Sequence, residues 1–67
     1  MLLIESKKLQ QAVINSGLMV AEVQRAAGLS KAATYRLVNH GGHARLSTIG
    51  KIARVLSVDV SAITKEV

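Results

Sequence analysis

The fold is decided by residues 20–39, which read VAEVQRAAGLSKAATYRLVN. Apolar residues recur here every three or four positions, as on the buried side of a helix, and Gly28 interrupts the pattern. The pattern predicts a helix over Val20–Ala27 and another that begins after an N-cap at Ser30 and continues to about Asn39. A connection this short is typical of a helix-turn-helix, whose two helices are roughly perpendicular.

Three further helices are predicted around this motif. A first helix from about Glu5 to Asn15 stops before Gly17, and Asp59 caps a short last helix. The fourth and fifth helices span about Leu46–Leu56 and Val60–Lys65. We therefore expect an all-α fold, a compact five-helix domain that occupies residues 1–67 as a single unit.

Two residues of the predicted fourth helix carry separate expectations. Leu46 begins the apolar stripe that continues through Ile49, Ile52 and Leu56, so we expect it to be buried. Gly50 costs about 1 kcal/mol relative to alanine inside a helix, by propensity alone. A close crossing with another helix is the expected reason for this glycine.

The composition excludes several classes of protein. With 67 residues there is room for one domain, and the absence of cysteine excludes disulfides. Hydrophobic residues make up 49 % of the chain, yet Tyr35 is the only aromatic residue, which suits a small helical domain. No apolar run approaches the roughly 18 residues of a membrane span. We expect a soluble, cytoplasmic protein that does not bind membranes.

The positive charge is concentrated in the middle of the sequence. Nine Lys and Arg residues against four Asp and Glu residues give a formal net charge of +5. No acidic residue lies between Glu22 and Asp59. This segment contains the cations Arg25, Lys31, Arg36, Arg45, Lys51 and Arg54. Such a segment is often only a solvated face, but it also favours a polyanionic partner such as nucleic acid.

One face of the predicted third helix is suited to a DNA groove. At about 100° per residue, the exposed arc contains Lys31, Ala32, Tyr35, Arg36 and Asn39, opposite an apolar arc of Ala33, Thr34, Leu37 and Val38. Lys and Arg donate to guanine O6 and N7, and an alanine can touch a thymine methyl. We predict that bases are read by Lys31, Ala32, Tyr35 and Arg36. The alternative for Tyr35 is that its ring covers a neighbouring helix.

A second group of residues is predicted to contact the DNA backbone. Arg45 and Lys51 flank the start of the fourth helix, where free N–H groups and the helix dipole favour a phosphate. Phosphate contacts fix the register of a protein on DNA without specifying sequence. The predicted backbone contacts are Ser30, Asn39, Arg45 and Lys51. The alternative for Arg45 and Lys51 is that they only solubilise the surface.

The sequence shows no arrangement of residues that would support catalysis. It contains no paired carboxylates, no nucleophile with a neighbouring base and no phosphate-binding glycine motif. His40 and His43 lie three positions apart in a glycine-rich loop, but neither a cysteine nor a run of carboxylates accompanies them as further metal ligands. We therefore predict no enzyme, no metal site and no cofactor.

Two stretches of the chain resemble the Cro/phage-repressor helix-turn-helix family, the lambda-repressor-like DNA-binding domains. They are residues 27–37, AGLSKAATYRL, and residues 46–58, LSTIGKIARVLSV. The resemblance extends over about Lys8 to Ile63. It implies a five-helix domain that binds DNA as a dimer and reads it with the third helix. The first stretch is also similar to the antitoxins of addiction modules.

The chain departs from the family pattern at several positions. Gln24 stands where the family has an alanine at the close helix crossing, and Thr34 replaces an aliphatic residue. Val20 replaces a glutamine that meets a phosphate in the family. Val13 and Val38 correspond to a partly buried Arg–Glu pair, and replacing both ions by apolar residues can be neutral or stabilising.

The leading hypothesis is a sequence-specific DNA-binding transcription regulator. It would be a small repressor that binds a pseudo-palindromic operator in double-stranded DNA as a homodimer, with the third helix in the major groove. The dimer surface is expected around Val55, Val58 and Val60, whose alternative role is ordinary core packing. One alternative function is an antitoxin that also binds a toxin partner through the apolar N-terminus or the far side. Another is a protein-interaction module on the same fold without DNA binding.

Overall fold

The computed structural model describes all 67 residues of the chain. Its elements are β1 (Leu2–Ile4), α1 (Ser6–Ser16), α2 (Val20–Ala27), α3 (Lys31–Asn39), α4 (Leu46–Leu56), a 3₁₀ turn (Val60–Ala62) and β2 (Thr64–Glu66). The predicted bounds of α2 and α4 agree with the structure, and α1 differs by one residue at each end. The Ser30 hydroxyl accepts a hydrogen bond from the Ala33 N–H at 3.1 Å, so the predicted N-cap of α3 is confirmed.

The prediction of an all-α fold with a fifth helix at Val60–Lys65 is wrong. The Asp59 carboxylate does accept a hydrogen bond from the Ser61 N–H, at 2.9 Å, but only one 3₁₀ turn follows. The next residues form β2, which pairs antiparallel with β1 so that Thr64 lies opposite Ile4. The backbone of this short segment thus finds its hydrogen-bond partners in a strand near the other end of the sequence, which local periodicity does not reveal.

The turn between α2 and α3 depends on a left-handed backbone. Gly28 has φ +69°, a conformation that is costly for residues with a Cβ atom. The N–H of Gly28 donates to the Arg25 carbonyl and that of Leu29 to the Gln24 carbonyl, which closes the end of α2. Leu29 packs on the core, and α3 starts two residues later. The turn thereby fixes the direction of α3 relative to α2.

A single cluster of buried hydrophobic residues joins β1, the four helices and Ile63, which lies between the 3₁₀ turn and β2. Val13 of α1 and Val38 of α3 belong to it. Two buried apolar side chains thus occupy the positions at which the similar family has an Arg–Glu pair. The Gln10 amide also donates to the Val38 carbonyl oxygen at 2.8 Å, so α1 still holds the end of α3 by a polar contact. The cluster consists of Ile4, Leu9, Ala12, Val13, Val23, Ala27, Leu37, Val38, Ile49, Ile52, Ala53, Leu56 and Ile63.

The small sheet also supports the loop between α3 and α4. Ile4 pairs with Thr64 on one side, and on the other its N–H and carbonyl bond with the carbonyl and N–H of Gly42, each at 2.9 Å. Gly41 has φ +70°, and a Cβ atom there would lie 2.5 Å from the Ile4 carbonyl oxygen. This close approach of two backbones requires glycine at position 41.

Two expectations for α4 are wrong. Leu46 is 74 % exposed, because it is the first residue of α4 and lies outside the buried core cluster. No close helix crossing explains Gly50, since a Cβ atom built there meets nothing within 4 Å. The rest of the predicted stripe is buried.

Candidate nucleic-acid interface

The two faces of α3 differ in the way the sequence predicts. Thr34, Leu37 and Val38 are buried, and Ala33 is half-buried. The opposite side is exposed and consists of Lys31, Ala32, Tyr35, Arg36 and Asn39. We call these five residues the α3 face. It combines two cations, an amide, a small apolar side chain and a phenol, and the Tyr35 residue is 37 % exposed.

A groove lies beside the α3 face, between the α2–α3 turn and the start of α4. It is open to solvent and has a volume of about 430 Å³, and the residues that line it include Ser30, Arg36, Arg45 and Thr48 as well as apolar residues such as Leu29 and Ala44. Three of the predicted DNA-contacting residues are therefore brought together here. Thr48 was missed by the sequence analysis, although its position in the first turn of α4 is the kind of position that meets a phosphate.

The start of α4 offers free hydrogen-bond donors to the same groove. Arg45 is the N-cap residue, but its side chain makes no capping hydrogen bond. The first N–H groups of a helix have no intrahelical partner, and together with the helix dipole they attract an anion. Arg45 itself is exposed and adds a full positive charge beside these groups.

Arg36 has an additional contact within the protein. Its Nη2 atom donates a hydrogen bond to the main-chain carbonyl oxygen of His43 at 3.1 Å. The guanidinium therefore connects the α3 face with the loop that leads into α4. The sequence predicted Arg36 only as a base-reading residue and gave no signal for this contact.

Two predicted backbone contacts lie outside the groove. Asn39 is exposed at the last residue of α3, and Lys51 is exposed on α4 five residues beyond Leu46. Neither side chain makes a hydrogen bond within the protein, so both are free to contact another molecule. The structure thus places Asn39 at the C-terminal end of the α3 face and Lys51 in the middle of α4.

None of the positive charges of the acid-free segment is neutralised within the chain. The six cations of this segment are all exposed, and the protein has one salt bridge, which joins the N-terminal ammonium of Met1 to Glu66 at 3.2 Å. Unpaired cations on one segment produce a positive potential that attracts polyanions. No three His, Asp or Glu side chains lie close enough together to hold a metal ion. None of the helices combines the length and apolarity needed to cross a bilayer.

The comparison with known families identifies the class of this domain. A family model of the Cro/C1-type HTH DNA-binding domain matches residues 8–65, nearly the whole chain. The chain belongs to this family. The resemblance inferred from the sequence is thereby confirmed, and α2 and α3 form the helix-turn-helix of a DNA-binding domain. No curated protein and no solved structure matches the chain.

The departures from the Cro/C1-type pattern are accommodated locally. The buried Thr34 hydroxyl donates to the Ser30 carbonyl oxygen at 2.8 Å, so the extra polar group has a partner within α3. Gln24 is only half-buried, which allows its amide to reach solvent at the helix crossing. Val20 is half-buried and packs on the core, so in this Cro/C1-type domain the first residue of α2 contributes to packing.

Proposed function

We propose that this Cro/C1-type domain is a sequence-specific transcription regulator, a small repressor that binds a pseudo-palindromic operator as a homodimer. Residues 1–67 act as one DNA-binding unit. The observation that carries the proposal is the α3 face, which presents Lys31 and Arg36 on the exposed side of the second helix of the motif. In a helix-turn-helix this helix enters the major groove.

The residues of the α3 face take different parts in base reading. Lys31 and Arg36 donate to guanine O6 and N7, and the Ala32 methyl contacts a thymine methyl. The Tyr35 hydroxyl forms a hydrogen bond with a base or a phosphate. The half-exposed ring of Tyr35 supports this role, since a ring that only covered a neighbouring helix would be more deeply buried.

The groove beside α3 is the proposed site of one backbone phosphate. Arg45 supplies charge, and the hydroxyls of Ser30 and Thr48 and the first N–H groups of α4 supply neutral donors. The Ser30 oxygen already accepts the Ala33 N–H, so its own proton is available for donation. Further phosphate contacts are made by Asn39 and Lys51. These contacts fix the register of α3 in the groove.

The size of the domain supports a dimer on a palindromic site. Reading helices of a symmetric dimer enter successive major grooves about 34 Å apart, and the longest extent of the chain is 28 Å. One copy therefore covers one half-site. Val55, Val58 and Val60 are half-buried and pack on the core, and their remaining exposed area is the proposed dimer surface.

Binding to defined duplexes at two salt concentrations tests the proposal. The wild-type protein is titrated against a duplex selected from a random pool and against a scrambled version of it, at about 50 and 200 mM salt. We expect tighter binding to the selected duplex, two copies per duplex by sedimentation, and weaker binding at the higher salt. Equal affinity for both duplexes contradicts sequence-specific regulation, and absence of binding at low salt contradicts a DNA-binding role.

An antitoxin function has less support. The apolar N-terminus, one of the two surfaces expected to dock a toxin, forms β1 and pairs with β2, which buries Ile4 and half-buries Leu2 and Leu3 and leaves only Met1 exposed. Co-purification of a second protein from the native host would favour the antitoxin function over a regulator that acts alone.

A further inference from the structure

The loop between α3 and α4, residues 40–45, is held by two separate parts of the chain, β1 and α3. On one side, the main chain of Gly42 exchanges two hydrogen bonds of 2.9 Å with Ile4 of β1. On the other side, the Arg36 guanidinium donates to the His43 carbonyl oxygen at 3.1 Å. These contacts fix two adjacent residues, Gly42 and His43, shortly before Arg45 and the first turn of α4.

Arg36 is the one residue of the α3 face that reaches this loop. The other four side chains, those of Lys31, Ala32, Tyr35 and Asn39, make no hydrogen bond within the protein. A guanidinium has five N–H donors in a rigid plane, so one bond to a carbonyl leaves donors for a second partner. Arg36 can therefore hold the loop and contact DNA at the same time.

We infer that Arg36 is a positioning residue as well as a DNA contact. Its bond to His43 fixes the segment from Gly42 to Arg45, so that the groove is formed before DNA arrives. The inference rests on the proposed DNA-binding function of the α3 face and the groove. Its physical basis is preorganisation, because a loop that is already ordered loses less conformational entropy on binding. Base reading by α3 and phosphate binding at α4 are then coupled through a single side chain.

The free protein provides the first test. Arg36→Met removes the donors but keeps an apolar stem, and Lys31→Met removes one cation from the same face without touching the loop. Hydrogen exchange followed by NMR reports on the Gly42 amide, which is bonded to Ile4. We expect the protection of this amide to fall by about threefold or more in Arg36→Met and to stay unchanged in Lys31→Met. Amides in the middle of α4 serve as the reference for global stability.

A double-mutant cycle on the selected duplex provides the second test. Arg36→Met and Arg45→Met are measured singly and together, and Lys31→Met with Arg45→Met forms the matched control. Because loss of Arg36 already displaces Arg45, we expect the first pair to deviate from additivity by about threefold or more. The control pair should be additive within about twofold.

The two tests separate this inference from the proposed function. Unchanged Gly42 protection in Arg36→Met overturns the inference, and so does additivity of Arg36→Met with Arg45→Met. Equal coupling in the control pair also overturns it, because the effect would then not depend on the His43 contact. If the wild type does not bind DNA, the proposed function fails, and the exchange experiment alone decides whether Arg36 holds the loop.

Discussion

The side-chain ammonium of Lys8 donates to the main-chain carbonyl oxygen of Thr64 at 2.6 Å and also to that of Ser61 at 2.7 Å. These bonds connect the first turn of α1 with the 3₁₀ turn and the start of β2. A single 3₁₀ turn leaves carbonyl groups without the partners that a longer helix would provide. The Lys8 ammonium is the hydrogen-bond donor for two such carbonyl groups, and it thereby stabilises the segment in which a fifth helix was expected.

Replacement of Lys8 tests the strength of this connection. Lys8→Met keeps the length of the side chain and removes the donor. We expect a loss of about 1 kcal/mol in the free energy of unfolding, below the roughly 1.5–3 kcal/mol of hydrogen bonds from charged groups, because Lys8 is exposed and solvent screens its charge. Urea unfolding measures the change. Lys7→Met is the control, since the Lys7 side chain makes no hydrogen bond, and equal losses in both variants would contradict the role of Lys8.

Substitution of Gly50 should stabilise the protein. A Cβ atom at this position of α4 meets nothing within 4 Å, and the backbone has no positive φ. Gly50→Ala therefore gains helix propensity of about 1 kcal/mol, which raises Tm by about 4–8 °C in a domain of this size. Gly41→Ala is the contrasting variant, since its Cβ atom would clash with the Ile4 carbonyl. A lower Tm for Gly50→Ala would indicate a packing role for this glycine.

A charge at position 38 should destabilise the core. Val38 of α3 is buried in the core cluster. Val38→Glu therefore places a carboxyl group in apolar surroundings, at a cost of about 2 kcal/mol or more. Burial raises the pKa of such a carboxyl group. The loss of stability should therefore be smaller below about pH 4–5, near the ordinary pKa of glutamate, because the carboxyl group is then largely neutral in the folded and the unfolded state alike. Thermal unfolding at several pH values measures this effect. Adding Val13→Arg should restore part of the stability at neutral pH, and failure to do so contradicts the pairing of these two positions.

Asp59 should contribute stability that depends on pH. The Ser61 N–H bonds to its carboxylate and lowers the pKa of Asp59 below the ordinary value of 3.8. A pKa that is lower in the folded state means that the contribution is complete above the unfolded pKa and is lost as the pH falls through the folded one. An NMR titration of the Asp59 carboxyl carbon should have its midpoint below 3.8. A midpoint at or above this value would contradict the cap, and Asp59→Asn should remove the dependence.

Lys31 and Lys51 should affect DNA binding differently. Lys31→Ala should cost about 1–3 kcal/mol on the selected duplex and relax the preference at one base pair. Lys51→Ala should weaken binding to all sequences equally and reduce the slope of log K against log salt by about 0.9. Titrations on single-base variants of the selected duplex distinguish the two. A uniform loss in Lys31→Ala would remove this residue from base reading.

The helix-turn-helix could be predicted because its signals are local. Gly28 requires a left-handed turn, Ser30 is a good N-cap, and the helical periodicity on either side is regular. The predicted fifth helix is wrong because the strand conformation of Thr64 depends on its pairing with Ile4, which lies far away in the sequence. Propensity within the six-residue segment Val60–Lys65 does not contain that information.

The candidate site could be predicted in outline but not in its connections. The exposure of Lys31 and Arg36 follows from the helical wheel. The contact between Arg36 and the His43 carbonyl depends on the course of a loop and on a side-chain rotamer, neither of which has a signature in the sequence. Thr48 was missed for a similar reason, since only the packing of α4 against the α2–α3 turn brings it into the groove.

The pairing of β1 with β2 also has a kinetic consequence. The two strands lie near opposite ends of the sequence, so their pairing closes almost the whole chain into a loop, whereas α2 and α3 need only neighbouring residues. Contacts of such long range form late in folding and slow it. We expect the two strands to pair after the helices have docked. The sheet should also be among the first parts of the protein to open in native-state fluctuations. Each opening would release Gly42 from Ile4, so the order of the loop between α3 and α4 would vary as the sheet opens and closes.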